Sequence, residues 1–183
     1  MTVKKSKPNE KRVTFPFTLT TSCNVERLAT RAQEDIYTST LDAGACADIA
    51  ERFGFLEIGP VSVSLKVKMI AKDTWEVTGK IAAELVQACV VTSKPVPETV
   101  TIEIEERYVP AIDEGDSDIE IDVSSVDVEL LEDGMIPLGE LVQQSLGLGV
   151  DNHPRLPDAP DDYQAGPEIR TENPFQKLSQ LKK

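Results

Sequence analysis

The sequence is short of the residues that usually carry chemistry. It has one histidine, three cysteines, one tryptophan and an aromatic share of only 5%. The histidine, His153, stands directly before Pro154 in a proline-rich stretch that can form neither helix nor central strand. A general base must be held firmly against its nucleophile, so no Cys–His or Ser–His pair is expected and no catalytic residue is assigned. Cys23, Cys46 and Cys89 are odd in number and far apart, which argues against a disulfide framework and for a reducing, cytoplasmic setting. No apolar run approaches the roughly 20 residues of a membrane-spanning helix. The basic opening, Met1 to Glu10, has no apolar segment behind it and is not expected to act as a secretory signal.

Cations are also in deficit. Nineteen Lys and Arg face 32 Asp and Glu, for a formal charge of −13. A surface of that sign repels phosphate backbones, so broad charge-driven nucleic-acid binding is disfavoured and no DNA partner is expected. The few aromatics are not interleaved with basic residues on a strand, which leaves no stacking platform for single-stranded nucleic acid. Gly139, Gly147 and Gly149 match no phosphate-binding loop. No internal repeat is visible.

What is present is a segregated charge and a clear pattern of elements. Lys4, Lys5, Lys7, Lys11 and Arg12 open the chain and Lys177, Lys182 and Lys183 close it, whereas Glu103 to Asp133 is strongly acidic with Arg107 as its one cation. Two readings stand: solvated surface with disordered ends, or an acidic body that meets a basic partner while the tails touch RNA. Val13 to Thr20 reads as a first strand, with Pro16 marking an edge. Leu41, Ala45, Cys46, Ile49, Ala50 and Phe53 recur at helical spacing before Gly54, which predicts an amphipathic helix and a packed, unreactive Cys46. Val61 to Met69 alternates strictly and predicts a half-buried strand. After a turn at Ala71 to Thr74, a second alternating strand carries Trp75, Val77, Gly79, Ile81, Ala83 and Leu85, with Gly79 marking a bulge or a close backbone approach. A third spans Glu98 to Tyr108. Asp113 to Asp118 reads as an acidic solvent loop. Ile119 to Leu130 offers one or two further strands, and Asp133-Gly134 a turn. Pro137 opens a second helix with Leu138, Leu141, Val142, Ser145 and Leu148 on one face. The predicted fold is α+β: a meander-like antiparallel sheet with about two helices packed on it. Residues 1–12 form a basic tail, 13–150 one domain, and 151–183 an extended, proline-rich tail with a short amphipathic turn at Phe175, Leu178 and Leu181.

Cys89 is the residue with the most open reading. It follows a strand, and a thiol there can bind metal, do redox chemistry or pack. A closed zinc site usually brings a Cys-x-x-Cys arm, but position 92 is Thr92. The acidic loop lacks the spacing of a dedicated calcium loop. No metal ligand or cofactor is therefore assigned, and a fixed turn is the preferred reading of Cys89.

Three stretches carry a family resemblance. Val77-Thr-Gly-Lys-Ile-Ala-Ala-Glu-Leu-Val-Gln-Ala-Cys-Val-Val-Thr92, with Pro95-Val-Pro97, resembles the signature of the YceD family of large ribosomal RNA subunit accumulation proteins. Asp133-Gly-Met-Ile-Pro-Leu-Gly-Glu-Leu-Val142 is similar to that family's short acidic strand leading into a helix, and Asn173-Pro-Phe-Gln-Lys-Leu-Ser-Gln-Leu-Lys182 to its terminus. Ala47 to Leu56 resembles its N-terminal helix. Many relatives carry Cys-x-x-Cys where this chain has Cys89 to Thr92, and the chain departs there; it resembles a branch with Cys-Val-Val-Thr and a proline-arginine tail, here Pro154-Arg155. Gln87, Cys89, Val90, Val91, Thr92 and Pro95 then serve as family markers. The resemblance implies a non-catalytic ribosome biogenesis factor promoting accumulation or processing of large-subunit (23S) ribosomal RNA. Its partner would be the RNA precursor or a basic ribosomal protein, with Asn173, Pro174, Phe175, Leu178, Leu181 and Lys182 as a partner-binding segment. The alternative is an acidic interaction adaptor that docks through the same C-terminal peptide and has no link to RNA. A third class, a metal-dependent enzyme, would require stoichiometric metal in the purified protein.

Overall fold

The computed structural model describes residues 11–28, 30, 32–110 and 128–160. The elements run β1 (Lys11–Pro16), β2 (Cys23–Asn24), a 3-10 turn (Val25–Arg27), β3 (Gln33–Thr40), α1 (Ala43–Phe53), β4 (Glu57–Ile58), β5 (Ser62–Ala71), β6 (Thr74–Ala88), β7 (Pro95–Pro110), β8 (Val128–Leu131), β9 (Met135–Ile136) and α2 (Leu138–Gly149). The fold is α+β, as the periodicities predict. A seven-stranded sheet has the order β1-β3-β5-β6-β7-β8, with β4 also pairing with β6, and β2 and β9 form a separate two-stranded ribbon.

The centre of the sheet is the predicted meander. Alternation in β5 and β6 puts Val63, Leu65, Val67, Val77, Ile81, Ala83 and Leu85 on one face, all buried. Ser64, Lys66, Lys80 and Glu84 point the other way. Each large aliphatic side chain removed from water in this layer contributes about 1.5–3 kcal/mol. The β5–β6 turn falls at Lys72 and Asp73, with Asp73 at φ 50°. Gly79 marks a close backbone approach rather than a bulge. Its pairing with Leu65 and Ile104 is in register, and an added Cβ would overlap the Ser64 carbonyl and sit 2.9 Å from the Leu65 Cα.

The sheet is mixed, which the meander reading did not anticipate. β1 pairs with β3 in parallel at one margin, and β8 pairs with β7 in parallel at the other. Pro16 ends the outermost strand, β1, where a missing N–H leaves no ladder bond unmade. The longest strand absent from the sequence reading is β3; the two-residue strands β2 and β4 are absent from it too. The opening residues of β3 are charged, yet Glu34 and Asp35 are both buried. Arg12 (3.0 Å) and Lys66 (3.8 Å) pair with Glu34, and Arg27 (3.1 Å) pairs with Asp35. Ion pairing rather than apolar alternation therefore admits these residues to the sheet.

Both helices cover the apolar face. Asp42 caps α1 by accepting from the Ala45 N–H at 2.8 Å, and Gly54, at φ 72°, closes it. Cys46 and Ile49 are buried, as predicted. Pro137 stands at the N-cap of α2, and its carbonyl accepts from the Leu141 N–H at 3.0 Å. The buried face of α2 is Leu138, Gly139, Leu141, Val142 and Leu146. This corrects the predicted stripe at its end: Leu148 is 80% exposed, because ten residues after Leu138 the helix has turned it off the face, whereas Leu146 faces the core. Gly139 lets α2 pass directly against the Leu19–Thr21 loop; its N–H donates to the Thr21 carbonyl at 2.8 Å, and a Cβ would collide with the Leu19 carbonyl.

Candidate functional site: a clasp and an acidic groove on one strand

Strand β7 carries a different site at each end. Near Pro95 lies the turn that joins it to β6. The Cys89 N–H donates to the Lys94 carbonyl and the Ser93 N–H to the Cys89 carbonyl, each at 2.8 Å, with Ser93 at φ 58°. Pro95 and Pro97 are already in strand, paired with Ala88 and Val86. Proline is tolerated there because β8 reaches only Arg107 to Pro110, so the other side of this part of β7 has no strand beside it among the described residues.

The chain returns to this turn after α2. The Val90 N–H donates to the Pro154 carbonyl at 2.9 Å. Gln87 bridges through its side-chain amide to Glu98 and to the Asp151 carbonyl, both at 2.9 Å, and Glu98 accepts from the Asp151 N–H at 3.1 Å. Together these contacts form a clasp that fastens the segment leaving α2. Arg155 donates to the Ala159 and Pro160 carbonyls at 3.2 and 2.7 Å, folding the segment back on itself.

Cys89 sits inside this clasp, 2% exposed yet outside the main apolar core. The Thr92 hydroxyl, followed by the Leu156 N–H, favours the thiolate and brings the pKa down to about 7 against the opposing effect of burial. Thr92 thus stands where a second thiol would be and points a hydrogen bond at the first. Val90 and Val91 are exposed at the tip, at 57% and 39%. All three cysteines are free, and no group of three or more His, Cys, Asp or Glu is placed to hold a metal among the described residues. His153 is exposed; its N–H donates to Asp151.

At the far end of β7 is an acidic groove of about 450 Å³, which the sequence reading saw only as a run of charge. Glu106 and Tyr108 of β7, Glu129 of β8, Glu132 and Asp133 of the following turn, and Glu140 of α2 provide its polar lining. Leu130, Met135, Pro137 and Leu141 provide its apolar surface. Tyr108 donates to Glu106 at 3.1 Å. Burial first, and then the negative charge of Glu106, push the Tyr108 pKa upward, so the hydroxyl stays a donor. Glu140 accepts from Arg52 at 2.6 and 2.8 Å and from Gln144 at 3.0 Å, and the Arg52 contact is the main cause of a pKa lowered to about 2.

Of the residues singled out in the sequence, the structure gathers Gln87, Cys89, Val90, Val91, Thr92 and Pro95 in the clasp. Asn173, Pro174, Phe175, Leu178, Leu181 and Lys182 lie outside the described residues, as does the 113–118 loop. No helix among the described residues is long and apolar enough to cross a membrane.

No curated protein and no solved structure matches the chain significantly. A family model described as large ribosomal RNA subunit accumulation protein YceD matches residues 77–182, more than half of the chain, and takes in both ends of β7 and all of α2. The chain belongs to the YceD family.

Proposed function

We propose that the protein promotes the accumulation of large-subunit (23S) ribosomal RNA in the cytoplasm as a binding factor, with no catalytic step of its own. The observation that carries this reading is the family match over 77–182, which spans the clasp, the groove and the basic C-terminal segment. The charge layout supports it: an acidic groove suits a basic ribosomal protein, and the lysine-bearing tails suit RNA. In this reading residues 13–150 act as one folded unit, with 1–12 and 151–183 as its tails, whose inner ends are held on it by β1 and by the clasp. The test is sedimentation of cell extract together with a deletion strain. The protein is expected to enrich with large-subunit precursors, and its loss to lower 23S relative to 16S RNA; neither effect would sink the reading.

A second reading, an adaptor that docks through Asn173, Pro174, Phe175, Leu178, Leu181 and Lys182, draws support from the clasp, because a fixed exit point at Pro154 suits a tethered docking peptide. Phe175→Ala with Leu178→Ala would then abolish partner capture while leaving 23S levels unchanged.

A further inference from the structure

The groove at the β8 end has a lining that is only partly used by the protein itself. Its two inner acids are occupied, Glu140 by Arg52 and Gln144, and Glu106 by Tyr108. Glu129, Glu132 and Asp133 form no ion pair among the described residues, and no cation lines the groove with them. They are drawn together by the fold: β8 holds Glu129 beside Tyr108, and the turn with Asp133 at φ 51° and Gly134 at φ 67° presents the other two. The three carboxylates thus share one groove, with no Lys or Arg among its lining residues.

The apolar surface is the second feature. Leu130 is 54% exposed on the groove wall, beside the half-buried Met135. A purely solvating acidic surface has no use for an exposed leucine in a concave setting. A long basic side chain answers both features, since its methylene stem can lie on Leu130 and Met135 while its head meets the carboxylates. An RNA backbone answers neither, because its phosphates meet charge of their own sign.

We propose that this groove binds an extended basic segment of a protein partner, with Lys or Arg heads at Glu129, Glu132 and Asp133 and an aliphatic side chain against Leu130 and Met135. The inference deepens the function proposed above by assigning the basic component to this surface, and it rests on that reading only for the partner's identity.

The test uses the full-length protein and three fluorescent probes: the hexapeptide Lys-Leu-Arg-Lys-Leu-Arg, its Gln-Leu-Gln-Gln-Leu-Gln counterpart, and a twelve-nucleotide oligouridine. The basic peptide is expected to bind with an affinity that falls as salt rises, and a photo-crosslinker on it to label residues 129–141. Replacing Glu129→Gln, Glu132→Gln and Asp133→Asn together should weaken binding by about tenfold, and Leu130→Ser by a smaller factor, given the usual worth of desolvated charge pairs. The pair Glu84→Gln and Glu103→Gln, on the open face of the sheet, should change little. The proposal is overturned by failure of the full chain to bind the basic peptide, by equal loss in the open-face pair, by crosslinks elsewhere, or by oligouridine competing at the groove. These results are separate from the 23S measurement. A protein that sustains 23S RNA yet ignores the peptide loses only this inference, whereas a peptide-binding protein whose deletion leaves 23S intact loses the broader reading.

Discussion

The two ends of β7 use the same kinds of atoms in opposite ways. At the Pro95 end, backbone N–H groups, carbonyls, Gln87 and Glu98 are matched to one another, and even the Cys89 sulfur is supplied with donors. At the Tyr108 end, three carboxylates have no ion pair among the described residues and stand around an exposed leucine. Helix α2 connects them, starting beside the groove at Leu138 and ending at the clasp, where Asp151 meets Glu98. A closed end and an open end of one strand divide the work. The first fixes where the chain goes next, and the second is the surface proposed above for a basic partner.

The largest way to break this comparison is to dislodge the helix that links the ends. Gly139→Val places atoms where the Leu19 carbonyl lies, and backbone cannot yield there as a side chain could. A loss of about 3 kcal/mol or more is expected in urea unfolding, with both the clasp and the groove disturbed. A stable Gly139→Val protein would mean that α2 does not sit as described.

Opening only the clasp is the next step. Glu98→Ala removes the acceptor for the Asp151 N–H and for Gln87, at about 1 kcal/mol of stability. Amide exchange should accelerate at Val90 and Asp151 while peptide binding at the groove stays as it was. Equal loss at both ends would show that they are not separable.

The thiol gives a pH-dependent readout confined to the closed end. Because the folded pKa of Cys89 lies near 7, below the ordinary thiol value of 9.0, the folded state favours the thiolate. That contribution to stability is fully present above about pH 9 and is lost as pH falls through 7. Thiolate absorbance of the native protein, taken as the difference from Cys89→Ser, should therefore show a midpoint near 7, and Thr92→Val should move it upward. Cys23, whose pKa burial raises, should stay a thiol across this range. A Cys89 midpoint unchanged in Thr92→Val would remove Thr92 from its assigned role.

The smallest expected effect is at the boundary between the two helices. Arg52→Gln removes the bidentate contact to Glu140, a pair whose side chains are 42% and 40% exposed and therefore well screened by solvent, so only a slight drop in melting temperature is expected. The Glu140 titration, seen by NMR, should rise from about 2 toward the usual carboxylate range. Peptide binding should persist.

Much of the closed part of this molecule was legible in sequence, for physical reasons that individual residues show. Strict alternation from Val61 to Met69 gave β5 because one face is buried and one is wet. The Gly54 stop and the Cys46 face gave α1 because helical spacing and a left-handed cap leave plain signs. The turn reading of Cys89 found its position, but not the returning segment, since nothing local in Pro154 announces that Val90 will donate to it. Strand β3 was hidden by Glu34 and Asp35, whose burial depends on Arg12, Arg27 and Lys66 from other elements. The stripe on α2 was read one step too far, as Leu148 and Leu146 are told apart only by the angle of the last turn. The groove was visible as acidity between Glu103 and Asp133, but its assembly from β7, β8 and α2 is a product of parallel pairing that periodicity does not encode.

The measurement that bears most directly on the division between closed and open ends is the 23S to 16S RNA ratio in a deletion strain supplied with the Glu129→Gln, Glu132→Gln, Asp133→Asn protein at normal level. The account predicts that this variant, folded and with an intact clasp, leaves the ratio as low as the empty strain does, while the Glu84→Gln, Glu103→Gln protein restores it. Full restoration by the groove variant would contradict the account.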